Sequence, residues 1–236
     1  LELRKKHLYP AMPKPEVKSL PGRSSIQMKN KQIIIGKEFC DRLAEKMDRG
    51  LIIEALLDHE LSHHCFCPFD LTTHLLIYAS VKEVLQNHEM AVKESDCFMD
   101  IAANTYCITQ METAIPELYL NMDKSELEKA ICSVYQELWK IDLGVGEHPV
   151  TKKLASLNYS NKARWEVESK RFARYIKELL QCDASTLFTS GFNRYSQSEV
   201  ESSLRDFAKR IGDPKRFAEI VRDLESLIGN VCLLYT

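Results

Sequence analysis

Residues 51–65 read LIIEALLDHELSHHC, and inside them His59-Glu60-Leu61-Ser62-His63 spells HExxH. On a helix, residues four apart face the same way, so His59 and His63 can both direct an imidazole nitrogen at one metal ion. Glu60 then lies beside that ion, where a carboxylate can take a proton from a water. Ile53, Leu57, Leu61 and His64 fall on one stripe by 3.6 periodicity. At about 100° per residue, the two histidines stand roughly 135° around the axis from that stripe, with Glu60 on the flank between them. The expectation is a helix from Leu51 to about Cys65 with an apolar back and a histidine front. Pro68 stops it, because proline lacks an N–H and disfavours a helical residue before it.

Working outward, 236 residues with 44% hydrophobic and 28% charged side chains describe an ordinary globular chain with room for a sizeable core. The net charge is −2, with Lys and Arg scattered among Asp and Glu, so neither nucleic acid nor an anionic membrane surface is an expected partner. No apolar run approaches the ~20 residues of a membrane span, and nothing resembles a signal peptide. A cytoplasmic location is therefore expected. The chain begins at Leu1 rather than Met, as a fragment would. Its eight cysteines lie mostly in apparent helices and read as reduced core thiols. Cys65-Phe66-Cys67 is C-x-C with no second pair, so packing beside the end of the metal helix is the expected role.

Residues 1–25 are rich in Pro, Lys and Ser and read as an extended lead-in with a turn at Pro21-Gly22. Ile26-Gln27-Met28 and Gln32-Ile33-Ile34-Ile35 predict a small hairpin. Residues 37–50 read as an amphipathic helix. A helix capped by Asp70 or Thr72 is expected to run to about Met90, and another from about Glu94 to Thr109. His74 and His88 lack ligand spacing and read as structural or surface residues. Beyond Pro116 helices are expected at about 123–141, 160–182, 197–210 and 214–229, separated by Gly144-x-Gly146, a Thr189-Ser190-Gly191 turn and Gly212-Asp213-Pro214. The fold class is thus α+β, predominantly α: a lead-in at 1–25, a unit with a small sheet at 26–115 and a helical extension at 116–236.

A catalytic zinc takes three protein ligands and keeps a fourth position for water. On the next helix Asp96, Asp100, Asn104 and Cys107 share one stripe, an acidic face that is costly to bury unless a cation meets it. Asp100 is the expected third ligand, with Asn104 one turn on as the hydrogen-bonding residue that orients the site. Glu94 is a rival, although it points roughly 120° away from the Asp100 face. Asp96 and His64 are further rivals, the latter about 100° from His63.

The stretch Leu57-Asp58-His59-Glu60-Leu61-Ser62-His63-His64, then Cys67-Pro68-Phe69-Asp70-Leu71 and Phe98-Met99-Asp100-Ile101-Ala102-Ala103-Asn104-Thr105, resembles the predicted zinc metallopeptidases of archaea and bacteria. These relate to the minimal zincins and to the metallopeptidase-like domains that accompany von Willebrand A modules. The resemblance covers about residues 20–120. It implies a zincin fold, in which a short, partly antiparallel sheet lies over the metal helix and its edge strand aligns an extended peptide. It also implies a D-x-x-x-N carboxylate after HExxH, here Asp100 and Asn104. The segment after Pro116 matches nothing in that family and is available to cap the cleft or bind a protein partner.

The expected activity is hydrolysis of a peptide or protein by a Zn2+-activated water, with Glu60 as general base. Tyr106, His148 and Tyr195 are conceivable donors to the oxyanion. The competing expectation is a non-catalytic zinc-binding regulatory or interaction module, in which Asp96, Cys65 or Cys67 fills the fourth position.

Overall fold

A computed structural model describes residues 12–19, 23–27, 30–180, 195 and 197–228. The turns expected at Pro21-Gly22 and at 189–191 lie outside these residues, as do Met28, Cys182 and Cys232. The described chain is mainly helical with one small sheet, as expected. Strands β1 (Glu16–Lys18), β2 (Ser24–Gln27) and β3 (Gln32–Gly36) are followed by helices α1 (Lys37–Leu43), α2 (Arg49–Cys65), α3 (Leu71–Leu85) and α4 (His88–Gln110). Then come α5 (Ile115–Asn121), α6 (Glu126–Trp139), α7 (Thr151–Ala155), a 3-10 turn at Lys162–Arg164, α8 (Trp165–Leu180), α9 (Gln197–Ile211) and α10 (Pro214–Ile228).

The sheet order is β1-β3-β2, with β2 antiparallel and β1 parallel to the central strand. Ile26 pairs with Ile33, and Ile33 and Ile35 turn inward together, as period-2 alternation requires. The hairpin is therefore as read from the sequence. The lead-in differs from its expectation, because β1 lies within it and pairs Val17 with Ile35. Val17 is 52% exposed, so this strand is held by main-chain bonds and shows no apolar pattern in sequence.

Helix boundaries follow the caps. Asp48 accepts from Gly50 N at 2.8 Å and Leu51 N at 3.2 Å, so a new helix starts there and the helix expected over 37–50 ends at Leu43. Asp70 caps α3 through Thr73 N at 2.7 Å. The helix expected to reach Met90 stops at Leu85, because Gln86 adopts the left-handed conformation and Asn87 caps α4 through Met90 N at 2.9 Å. Two short helices, α5 and α7, were not anticipated; α5 carries Pro116 in its first turn, a favourable site for proline. In α6, Ser125 and Glu128 form a capping box.

Helix α2 runs through the interior. It packs on α4 and α5, and the β2–β3 hairpin lies against it. Ile52, Ala55, Leu56, Asp58 and every residue from Glu60 to His64 are buried, whereas Ile53 and Leu57 are only partly so. The expected one-sided apolar stripe is thus replaced by enclosure around the last turns, since neighbours cover the helix on several sides. Helix α3 is gripped by α4, α8 and α9. No helix among the described residues is long and apolar enough to cross a membrane.

Candidate metal centre

Every donor of the HExxH segment sits on α2, whose buried last turns leave the rings little freedom. His63 donates from Nδ1 to the Cys67 carbonyl at 2.7 Å. A carbonyl only accepts, so the Nδ1 proton is placed and the lone pair lies on Nε2. That atom is 3.0 Å from Asp100 Oδ1. His59 Nδ1 is 2.8 Å from Asn104 Oδ1, and Asn104 Nδ2 donates to Tyr135 Oη at 2.8 Å and Tyr119 Oη at 3.1 Å. With the amide oriented this way His59 is the donor, and its Nε2 also carries a lone pair. The two rings meet edge to face with centroids 4.6 Å apart. Burial, then the neighbouring His63, lowers the pKa of His59 and favours the neutral imidazole that a metal ligand must be.

Asp100 and Asn104 are four residues apart on α4 and present one face to α2. One ligand atom each from His59, His63 and Asp100 lies within 4.8 Å of the others. Zinc bonds of ~2.0 Å in a tetrahedron set ligand atoms roughly 3.3 Å apart, so the 3.0 Å between His63 and Asp100 is close to that edge. The donor chemistry, two imidazoles and a carboxylate with both outer nitrogens committed elsewhere, suits such an ion. The His63 side chain is 4% exposed and that of Asp100 32%, so solvent reaches the cluster from the Asp100 side.

The carboxylate of Glu60 is enclosed beside the cluster, 1% exposed, and accepts from Ser24 Oγ at 2.8 Å. Ser24 begins β2, the edge strand against α2. Just before it, the Arg23 guanidinium lies over the Tyr119 ring at 5.7 Å and the Phe39 ring at 5.9 Å, and pairs with Glu128. Burial alone would lower the Arg23 pKa, but Tyr119, Glu128 and Asp100 outweigh it and hold it above its ordinary value. Glu128 meanwhile closes the α6 capping box through Ser125 N, so a helix cap anchors this arginine. Burial pushes the Tyr119 phenol up to about 12 and Tyr135 well above the ordinary value, keeping both protonated around Asn104.

The rivals lie elsewhere. Glu94 is fully buried and its carboxyl is pushed well above the usual range by that burial. Asp96 is 3.8 Å from His74 Nε2. His64 is buried, its ring nearly parallel to Phe69 at 6.5 Å. Cys67 contributes its carbonyl rather than its thiol, which burial raises well above the ordinary value. The described cysteines are unbridged, and all but Cys65 are buried. Among the conceivable oxyanion donors, Tyr106 stacks on Phe66 at 4.2 Å, His148 Nδ1 accepts from Val150 N at 3.4 Å, and Tyr195 Oη is 3.4 Å from His74 Nδ1.

Sequence reasoning missed Arg23, Ser24, Tyr119, Tyr135 and the Cys67 carbonyl. The Ser125-x-x-Glu128 box was a readable cap signal, but nothing in it points to Arg23, which lies 105 residues away. Comparison with protein-family models, with curated proteins and with solved structures returns no match.

Proposed function

We propose that the protein is a zinc-dependent metallopeptidase of the HExxH type, similar to the minimal zincins, in which His59, His63 and Asp100 would hold Zn2+. The observation that carries this reading is the meeting of those three side chains within 4.8 Å, with both imidazole Nδ1 atoms tied to fixed acceptors. Zinc in such a site supplies Lewis acidity and lowers the pKa of a water toward ~7. Glu60 accepts the water proton at its carboxylate and returns it to the leaving amine nitrogen. Ser24 steadies that carboxylate, Asn104 and Cys67 fix the rings, and Arg23 adds a standing positive charge whose field reaches Asp100. The substrate is a peptide or protein chain; β2, at the edge of the sheet, offers main-chain groups along which it can extend. The working location is the cytoplasm, and the helices after Pro116 offer surface to a protein partner.

The test combines elemental analysis with hydrolysis of unfolded protein. Glu60→Gln is expected to keep zinc and lose hydrolysis by about 100-fold or more. Retained hydrolysis in that variant sinks the assignment. A second reading, a non-catalytic zinc module, is favoured by one observation: Glu60 is almost fully enclosed and held by Ser24. Zinc bound stoichiometrically, with no hydrolysis by the wild-type chain, would select it.

A further inference from the structure

The end of α2 builds a second feature that the metal chemistry does not use. Three aromatic rings, Phe66, Phe69 and Trp165, surround one cation, the Lys162 ammonium, at 5.0, 5.3 and 5.8 Å from their centroids. Two of the rings are rigid: Phe66 stacks on Tyr106 at 4.2 Å, and buried Trp165 donates from Nε1 to the Tyr159 carbonyl at 2.7 Å. The third is costly to keep where it is. Phe69 has φ +68°, unusual for a residue with a bulky side chain, and the residue is still 52% exposed. Main-chain bonds from Phe69 N to the His63 carbonyl at 3.0 Å and from Asp70 N to the Pro68 carbonyl at 2.8 Å lock that conformation. The rings border a cavity of about 320 Å³ whose wall also includes Asp70, Glu166 and Arg210. This volume is in the range of small-ligand sites.

We propose that Phe66, Phe69 and Trp165 form an aromatic cage for a methylated ammonium group, with Lys162 as its resident occupant in the absence of ligand. Ring faces attract cations, and the attraction grows when the cation sheds its water. A primary ammonium such as that of Lys162 keeps its hydration strongly, whereas a trimethylated one is weakly hydrated and also fills the space between rings. Lys162 is exposed and carried on a single 3-10 turn, so its flexible stem can swing away. Asp70 and Glu166 on the wall add negative charge that suits a cation, while Arg210 lies 3.7 Å from Glu166.

The experiment is a calorimetric and NMR titration of the full chain with choline, with the N-acetyl amide of trimethyllysine, and with the uncharged isostere of choline in which carbon replaces nitrogen. At least one cation is expected to bind saturably, and the isostere about tenfold more weakly or not at all. Choline alone marks a small-molecule site, and trimethyllysine alone marks a modified side chain. Phe69→Ala, at an exposed position, should weaken binding by about tenfold without altering the thermal midpoint, and Lys162→Ala should tighten it about threefold by removing the competitor. Equal binding of the uncharged isostere, no binding of either cation, or no gain on Lys162→Ala overturns the proposal. None of these readouts depends on zinc.

Discussion

Helices α2 and α4 and helices α8–α10 bury different kinds of side chain. In the first pair the interior holds Asp58, Glu60, His63, His64, Glu94 and Asn104 among its apolar residues. In the second it holds Phe172, Ile176, Val200, Phe207, Val221 and Leu224, with Glu168 the buried acid. Two of the three enclosed glutamates, Glu94 and Glu168, sharpen the contrast. Glu168 is met by Arg164 at 2.9 Å and Arg171 at 3.0 Å. Neither oxygen of Glu94 has a hydrogen-bond partner among the described residues, and burial keeps its carboxyl neutral well above the usual range. Burying polar groups costs free energy unless each is matched; Glu60, His63 and Asn104 are matched by Ser24, the Cys67 carbonyl and the Tyr119 and Tyr135 hydroxyls, whereas Glu94 is kept neutral instead. The α8–α10 region, by contrast, is filled mainly by apolar side chains.

Four perturbations test that division, from largest to smallest. Phe172→Ala removes a fully buried ring and should cost about 3–5 kcal/mol in chemical denaturation while leaving zinc affinity of the folded chain unchanged. A parallel fall in metal affinity would mean that the two regions are not separable. Asp100→Ala should do the reverse: zinc affinity falls tenfold or more, about 1.4 kcal/mol, with less loss of stability in the metal-free chain than Phe172→Ala causes. Unchanged zinc content would move the third ligand elsewhere.

Glu94→Gln should stabilise the fold near neutral pH, because the variant no longer needs a proton to be neutral in the core. The sign follows from linkage. The folded pKa of Glu94 is raised, so its stabilising contribution is complete below the unfolded value of about 4.3 and is lost as pH rises toward the folded one. The advantage of the variant therefore grows as pH rises above the unfolded value of about 4.3 toward the raised folded one, as thermal midpoints measured from acid to neutral pH would show. A constant difference would mean that the native site is already charged. The smallest effect belongs to Ser24→Ala, which removes one donor to Glu60 and should slow hydrolysis about fivefold, roughly 1 kcal/mol, with an unchanged fold. Unaltered kinetics would show that Glu60 is held without it.

The contrast also explains what was readable. Helices α9 and α10 start where the sequence placed them, because their apolar residues recur on one face, whereas α8 starts at Trp165 rather than at about 160, after a 3-10 turn; the ends expected at 182 and 229 lie outside the described residues. The histidine pair and the Asp100–Asn104 pair were readable for a related reason, since spacing of four on a helix is local geometry. The break at Gln86–Asn87 was not expected; there Gln86 turns left-handed and Asn87 caps the next helix through Met90 N. Strand β1 left no trace, being exposed and held through its main chain.

The amino-acid order alone determined that two imidazoles would project together from one helix and that an acid–amide pair would share a face of another, because helical pitch is intrinsic to the backbone. That the two faces meet was decided by packing, as was the enclosure of α2 on several sides. Packing also brought Ser24 to Glu60 and Arg23 to Tyr119 and Glu128. Those contacts join residues up to 105 positions apart, where the energy that selects them comes from burial of the whole core and no local pattern records it.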